Sequence, residues 1–210
     1  MAHGTRAAPQ ALLIDLDGVV RVFDRGVAQS VEREFGLPDG ALQESASSWA
    51  RLRHAIVGDE SHQSWLDSIV LDLADAVGGT DRARAAVDQW RAYRGDVVPE
   101  VLDFVRQVRA RGVPVALAAN ATSQLDADLD KLSLTGEFDA VVNSSAIRAH
   151  KPTAGFFTAA CAAVGAAPPR CLFVDDEDRH VRGARAAGLS AYRWTGPADL
   201  QYLRAALTSS

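Results

Sequence analysis

The stretch ALLIDLDGVV, residues 11–20, reads as a buried strand that runs into charge. Ala11 to Ile14 are apolar; Asp15 and Asp17 follow, with Gly18 directly behind. If the strand continues, two carboxylates one residue apart project from the same face. There they repel each other at neutral pH, and each loses hydration if buried. The cost has to be offset by whatever the rest of the chain brings beside them.

Outward from this stretch, further apolar runs of strand character occur at VPVALAA, FDAVVNS, RCLFVDD and LSAYRW, most of them separated by segments of helical period. That alternation predicts an α/β fold, a Rossmann-like parallel sheet flanked by helices. In PEVLDFVRQVRARG, Val101, Leu102, Val105 and Val108 share one helical face before Gly112 stops the helix. KPTAGFFTAACAAVG and HVRGARAAG repeat the formula up to Gly165 and Gly188. Between Asp24 and about Asp96 the strand signal disappears in favour of helical segments: GVAQSVEREFG, PDGALQESASSWARLRHAIVG, SHQSWLDSIVLDLADAVGG and TDRARAAVDQWRAY. The chain therefore divides into a core of residues 1–22 and 96–210 and an inserted all-helical subdomain of residues 23–95.

Composition narrows the partners. The 210 residues are 48% apolar, with 16 Gly and 8 Pro, enough for one sizeable core and an accessory subdomain. A net charge of −5 argues against nucleic acid, whose backbone needs a basic surface to release counterions. No run of about 18 apolar residues is present to span a membrane, and MAHGTRAAPQ lacks the apolar centre of a signal peptide and reads as a loose lead-in. Cys161 and Cys171 have neither metal-like spacing nor an extracellular framework, so reduced, packed thiols in a cytoplasmic setting are expected.

The polar residues gather where strands end, the place at which open α/β sheets bind ligands. Asp15 and Asp17 close the first strand; Asn120, with Thr122 and Ser123 just beyond, closes VALAAN; Lys151 follows NSSAIRAH; Asp175 and Asp176 close CLFV. The four carboxylates and the lysine sum to −3, and a divalent cation would bring them to −1. All-oxygen ligands suit Mg2+, which takes one or two carboxylates together with substrate phosphate. Taken singly, each element has a plainer account: DLD as a strand-end turn, Lys151 as a solvated side chain, the late acids as helix caps, Asn120 as a turn residue. Their joint order favours a site.

DLDGV, ALAANAT, HKPTAGFF and FVDDEDRHVRGARAAG resemble the four successive motifs of the haloacid dehalogenase (HAD) superfamily, from about residue 11 to 195. The resemblance implies a Rossmann-like core with a helical cap between the first and second motifs, and phosphoester hydrolysis through an aspartyl-phosphate on a small phosphorylated metabolite. It implies Asp15 as nucleophile and metal ligand. Asp17 is implied as general acid and base with its backbone carbonyl on the metal, and Lys151 as the cation that offsets charge on the transferring group. Asp176 becomes the main late metal ligand and Asp175 a second ligand or an orienter. Asn120 and Thr122 are the expected substrate-binding residues. The cap, hinged near residues 22–25 and 94–98, becomes the lid and the source of substrate choice; Arg21, Arg25, Trp49, Arg53 and Trp65 are its candidates for meeting substrate.

Two positions depart from the family pattern. Ala119 stands where Ser or Thr usually donates to a phosphoryl oxygen, and Thr122 or Ser123 is the candidate replacement. His180 stands four residues after Asp176, where Asp or Asn is common, and reads as a helix residue or a metal ligand. His54, His62 and His150 receive no special role. The alternatives are a HAD-type phosphomutase, which shares these motifs; a 2-haloacid dehalogenase, which typically has Tyr at the position of Asp17 and lacks the late acid pair; and a non-catalytic binding module, which only Ala119 favours. Neither the substrate nor the oligomeric state has a signature in the sequence.

Overall fold

In the computed structural model, which describes residues 9–208, seven strands and eleven α-helices follow one another along the chain. The lead-in read at residues 1–10 lies outside the described residues except for its last two. The core begins with β1 (Ala11–Ile14) and β2 (Arg21–Val22). Five helices come next: α1 (Arg25–Phe35), α2 (Ala41–Ser47), α3 (Trp49–Ile56), α4 (His62–Val77) and α5 (Thr80–Ala92). The chain returns through β3 (Asp96–Val97), α6 (Pro99–Ala110), β4 (Val115–Ala119), α7 (Leu125–Lys131), β5 (Ala140–Asn143) and α8 (Ser144–Ile147). It finishes with α9 (Ala154–Ala163), β6 (Cys171–Asp175), α10 (Asp178–Ala186), β7 (Ser190–Arg193) and α11 (Leu200–Thr208).

Five of the strands form a parallel sheet in the order β5-β4-β1-β6-β7, so the strand that carries Asp15 is central. In register, Ile14 faces Leu117 on β4 and Val174 on β6. The two-residue period of the pleat sorts the side chains into two layers. Leu12, Ile14, Leu117 and Val174 face a core with Phe104 and Val105 of α6, Leu129 of α7 and Leu203 of α11. Leu13, Ala116, Ala118 and Phe173 face the other, with Phe156 and Phe157 of α9 and Ala184 of α10. Phe104, which the sequence pattern passed over in favour of Leu102, is fully buried on the α6 face, as are Val101 and Val105. Among the described residues, no helix is long and apolar enough to cross a membrane.

The five helices between β2 and β3 gather around a cluster of their own, built chiefly on Leu66, Ile69, Val70 and Leu73 of α4 against Ala83, Ala86 and Val87 of α5. One buried carboxylate, Glu32, accepts from the backbone N–H groups of Gly40 and Leu42 (2.9 Å each), so it ties α1 to the start of α2 without an unpaired charge. The segment read as one helix from Ala41 onward breaks at Ser48, whose extended backbone separates α2 from α3. The insert joins the core through an antiparallel ribbon, Arg21 opposite Val97 and Val22 opposite Asp96.

Candidate active site

The strand does not continue through both acids of DLD. Asp15 N makes the last ladder bond, to Val174 O (2.9 Å). Leu16 N then turns to the Asp15 carboxylate itself (2.7 Å). Leu16 O next accepts from Val20 N (2.9 Å) and Arg21 N (2.8 Å), closing a tight loop over buried Leu16, Val19 and Val20. Asp15 is therefore 7% exposed in the sheet, whereas Asp17 sits on the loop with its side chain 49% exposed and paired to Arg21 Nε (2.6 Å). The two carboxylates do not share a strand face. Arg21, itself buried, also reaches Asp128 of α7 (3.3 Å).

The answer to the charge at Asp15 is Lys151. Its Nζ lies 2.7 Å from Asp15 Oδ1 and 2.7 Å from Asp175 Oδ2, with all three side chains buried. Lys151 is not at a strand end: β5 stops at Asn143, and α8 and a loop intervene. Asn120 holds it there, Oδ1 accepting from Lys151 N (2.8 Å) and Nδ2 donating to Lys151 O (3.1 Å). His150 Nδ1 also donates to that carbonyl (2.8 Å). The Asn120 amide, expected to bind substrate, also fixes the backbone of the lysine.

Both oxygens of Asp175 are engaged. Oδ2 takes the ammonium, Oδ1 accepts from Glu177 N (2.8 Å), and His180 Nδ1 stands 3.1–3.2 Å from both. His180, read as an ordinary helix residue or a metal ligand, is buried and serves Asp175. Although ligand atoms of Asp15, Asp175 and His180 lie within 4.8 Å of one another, the space between the two acids is taken by the ammonium. Asp176 is the late acid that fits a metal. One residue past the end of β6, it lies against Gly18, whose φ of 82° no ordinary side chain favours. A Cβ at Gly18 would overlap the Asp176 carboxylate, so the glycine is the floor on which that carboxylate rests.

Electrostatics follow from one cation among several acids. Burial pulls the Lys151 ammonium down, but Asp15 and Asp175 outweigh it and raise its pKa. Burial pushes Asp175 up, yet His180 and Lys151 hold it well below the usual carboxylate range. Asp15 carries the excess: burial raises it most, Lys151 lowers it, Asp175 raises it again, and the net is upward. Asp176 is raised by burial and then by Asp175. Two carboxylates that resist ionisation beside each other's strand ends are the donor set a hard divalent cation relieves.

Between core and insert lies a cavity of about 290 Å3. Asp17, Arg21, Asn120 and Thr122 line it from the core side, His62, Trp65, Leu66 and Trp90 from the insert. Arg21 and Trp65 among the candidates thus face it, while Arg25, Trp49 and Arg53 do not line it; Trp49 packs on His150 and Arg179. The Thr122 hydroxyl, expected to meet substrate, stands 2.9 Å from His62 Nδ1, and Ser123 Oγ accepts from His62 N (3.1 Å). His62, given no role from the sequence, is thus the point where α4 touches the β4–α7 loop. No periodicity marks such a residue; in the structure it follows Ser61, whose hydroxyl caps α4 by accepting from Ser64 N. Ala119 is buried on the Leu117 face, with no hydroxyl in its place.

The model of the family described as "Hydrolase: haloacid dehalogenase-like hydrolase" matches residues 9–188. The chain is 29% identical over 188 residues to Phosphatase MT3486 of Mycobacterium tuberculosis (strain CDC 1551 / Oshkosh), covering 87% of this chain and 85% of the relative. It is 33% identical over 189 residues to Fructose-1-phosphate phosphatase YqaB of Escherichia coli (strain K12), covering 86% and 93%. The HAD family enzyme Bt-2542 of Bacteroides thetaiotaomicron, solved in complex with magnesium and inorganic phosphate, superposes with a TM-score of 0.70 at 21% identity, over 89% of this chain and 94% of that one. With an Asp15–Lys151–Asp175 cluster at the carboxyl ends of a parallel sheet and a helical insert facing it, the chain belongs to the haloacid dehalogenase-like hydrolases, as an enzyme of their phosphatase kind.

Proposed function

We propose that this chain hydrolyses small phosphate monoesters with Mg2+, through a phosphoryl group carried on Asp15, beneath a cap formed by residues 23–95. The observation that carries the reading is the Asp15–Lys151 pair at 2.7 Å. Both contacts of the Asp15 carboxylate, from Leu16 N and from Lys151, fall on Oδ1, which leaves Oδ2 to attack phosphorus. Lys151, anchored by Asn120 and Asp175, sets a fixed positive charge beside the group being transferred, where preorganised charge is most effective. Asp17 is the proton donor to the leaving oxygen and the later base for water; to act, it exchanges its contact with Arg21 for the substrate. Asp15 and Asp176, with the Asp17 carbonyl, would hold the cation. When bound, Mg2+ neutralises phosphoryl oxygens and favours the ionised nucleophile. The cavity against His62 and Trp65 receives the leaving group and keeps water from it.

That the Bt-2542 enzyme was solved in complex with magnesium and inorganic phosphate supports a divalent cation and a phosphate group here. The two buried free thiols suit a reducing, cytoplasmic setting. A phosphomutase would use the same residues; against a dehalogenase, the late acid Asp176 and the loop acid Asp17 favour phosphate esters. The test is turnover of an aryl phosphate with and without Mg2+ by the wild type and by Asp15→Asn. Wild-type activity that needs Mg2+, and no acid-stable phosphoryl-enzyme in the variant, is the expected result. Near-normal turnover by Asp15→Asn would falsify the assignment of the nucleophile.

A further inference from the structure

Pairing between β4 and β5 ends at Ala119 opposite Asn143, where the chain turns into α8. Beyond that point two side chains stand in for the ladder. Ser144, fully buried at the start of α8, serves both backbone groups of Ala121 with one hydroxyl: Oγ accepts from Ala121 N (3.0 Å) and donates to Ala121 O (3.2 Å). Beside it, Asn143 Nδ2 donates to Thr122 O (3.0 Å), while its Oδ1 accepts from Ser145 N (3.1 Å) and caps α8.

Consecutive residues of the β4–α7 loop are thus held by consecutive residues at the end of β5, and Asn120 stands immediately before them. Its amide in turn grips both backbone groups of Lys151. Ala at position 144 would fill nearly the same space but neither accept nor donate, and Ala121 would lose both bonds. A loop freed there lets Asn120 shift, and Lys151 with it. The ammonium lies 2.7 Å from each of two carboxylates, and a charge that stabilises a transition state tolerates little misplacement.

We propose that Ser144, with Asn143 beside it, is a positioning residue for Lys151, acting through the loop of residues 120–122. The kinetic consequence rests on the phosphomonoester reading above; the placement of the lysine does not.

The sequence supplies a direct probe, because Lys131 and Lys151 are its only lysines. Protein labelled with nitrogen-15 lysine gives one backbone amide signal for each, and Lys131→Arg tells them apart. Lys151 N donates to Asn120 Oδ1 (2.8 Å), so its signal reports that bond. Lys131, at the end of α7, reports general loosening. Ser144→Ala is expected to shift the Lys151 signal towards its place in Asn120→Ala and to speed exchange of that proton about tenfold, with Lys131 unmoved. On an aryl phosphate with Mg2+, kcat should fall about tenfold and KM should change less than about twofold. In an Asn120→Ala background the same substitution should cost less than about a further twofold, since the route through Asn120 is already cut. A Lys151 signal that stays in place, or that moves only together with Lys131, overturns the inference, as do kinetic losses that multiply in the double variant. Should Ser144→Ala not fold, Asn143→Asp decides instead: it keeps the cap of α8, removes the donor to Thr122 O, and must move the Lys151 signal alone. If the wild type turns over no phosphate ester, the phosphatase reading fails separately, and the amide signals decide whether Ser144 places Lys151.

Discussion

Lys151 Nζ meets Asp175 Oδ2 at 2.7 Å where neither side chain is more than 1% exposed. Removing one partner of such a pair leaves an uncompensated charge in the interior, which costs about 3–5 kcal/mol. Lys151→Met, which strands Asp15 as well, is expected to lose that much in denaturant unfolding and to lose turnover altogether. The double variant Lys151→Met/Asp175→Asn should be more stable than Lys151→Met, because one stranded charge is gone. A double variant less stable than the single would show that Asp175 does not depend on the lysine.

Gly18→Ala is expected to destroy Mg2+-dependent activity while leaving the sheet intact. The new Cβ would displace the Asp176 carboxylate, and the positive φ adds strain. Wild-type protein should gain thermal stability as Mg2+ is added, by about 2.7 kcal/mol at a hundredfold excess over the dissociation constant, and Gly18→Ala should gain little.

The pH dependence of that stabilisation has a definite sign. Asp15 and Asp176 both have raised pKa values, chiefly through burial, so protons compete with the cation. The Mg2+ concentration for half-saturation is expected to rise as pH falls from neutrality towards 5. A constant value across that range, measured by calorimetry, would remove these carboxylates from the metal site.

Ala119 leaves the phosphoryl group short of one donor, and the Thr122 hydroxyl does not replace it because it is engaged with His62. Ala119→Ser should raise kcat/KM by about tenfold or more, as a hydrogen bond to a charged oxygen contributes about 1.5–3 kcal/mol. Ala119→Thr should gain less, since the position is buried against the Leu117 layer and an added methyl must be packed there. Thr122→Ala should leave turnover of phenyl phosphate near the wild-type value. A large loss in that variant would restore Thr122 as the donor.

Acid stability should depend on a residue remote from the site. Burial raises Asp199, but Thr195 N (2.7 Å), Thr195 Oγ1 (2.8 Å) and the Tyr192 hydroxyl (3.0 Å) donate to it and hold its pKa below the usual value. A depressed carboxylate contributes stability that is present above its unfolded pKa of about 3.9 and lost as pH falls through the folded value. Asp199→Asn is expected to be less stable at pH 7, on the order of 1 kcal/mol, and to show a shallower loss between pH 4 and 2.

The strands and the helical insert were legible because period and punctuation are local: VALAA and CLFVD carry the continuous apolar run of a strand buried on both faces in their own residues. The acids at the ends of those strands were legible for the same reason. What the sequence concealed depends on partners distant in the chain. DLD looked like two acids on one face, but the Leu16 N–H turns to Asp15 and ends the strand between them. The tie of Asn120 to Lys151, thirty-one residues away, has no local signal. His62 and His180 owe their roles to Thr122 and Asp175, and no property of a lone histidine announces such a partner.

The ribbon of β2 and β3 has a consequence for how such an enzyme diversifies. Because Val22 and Asp96 are cross-strand partners, the two ends of the insert are held about 5 Å apart. To the sheet, everything between them is a single closed loop, and exchanging one loop for another changes its closure entropy only slowly with length. A foreign helical or sheet-like module, spliced after Val22 and before Asp96, should therefore leave the parallel sheet and its Lys151–Asp175 pair folded. The two chain crossings between sheet and insert meet at one cross-strand pair of residues.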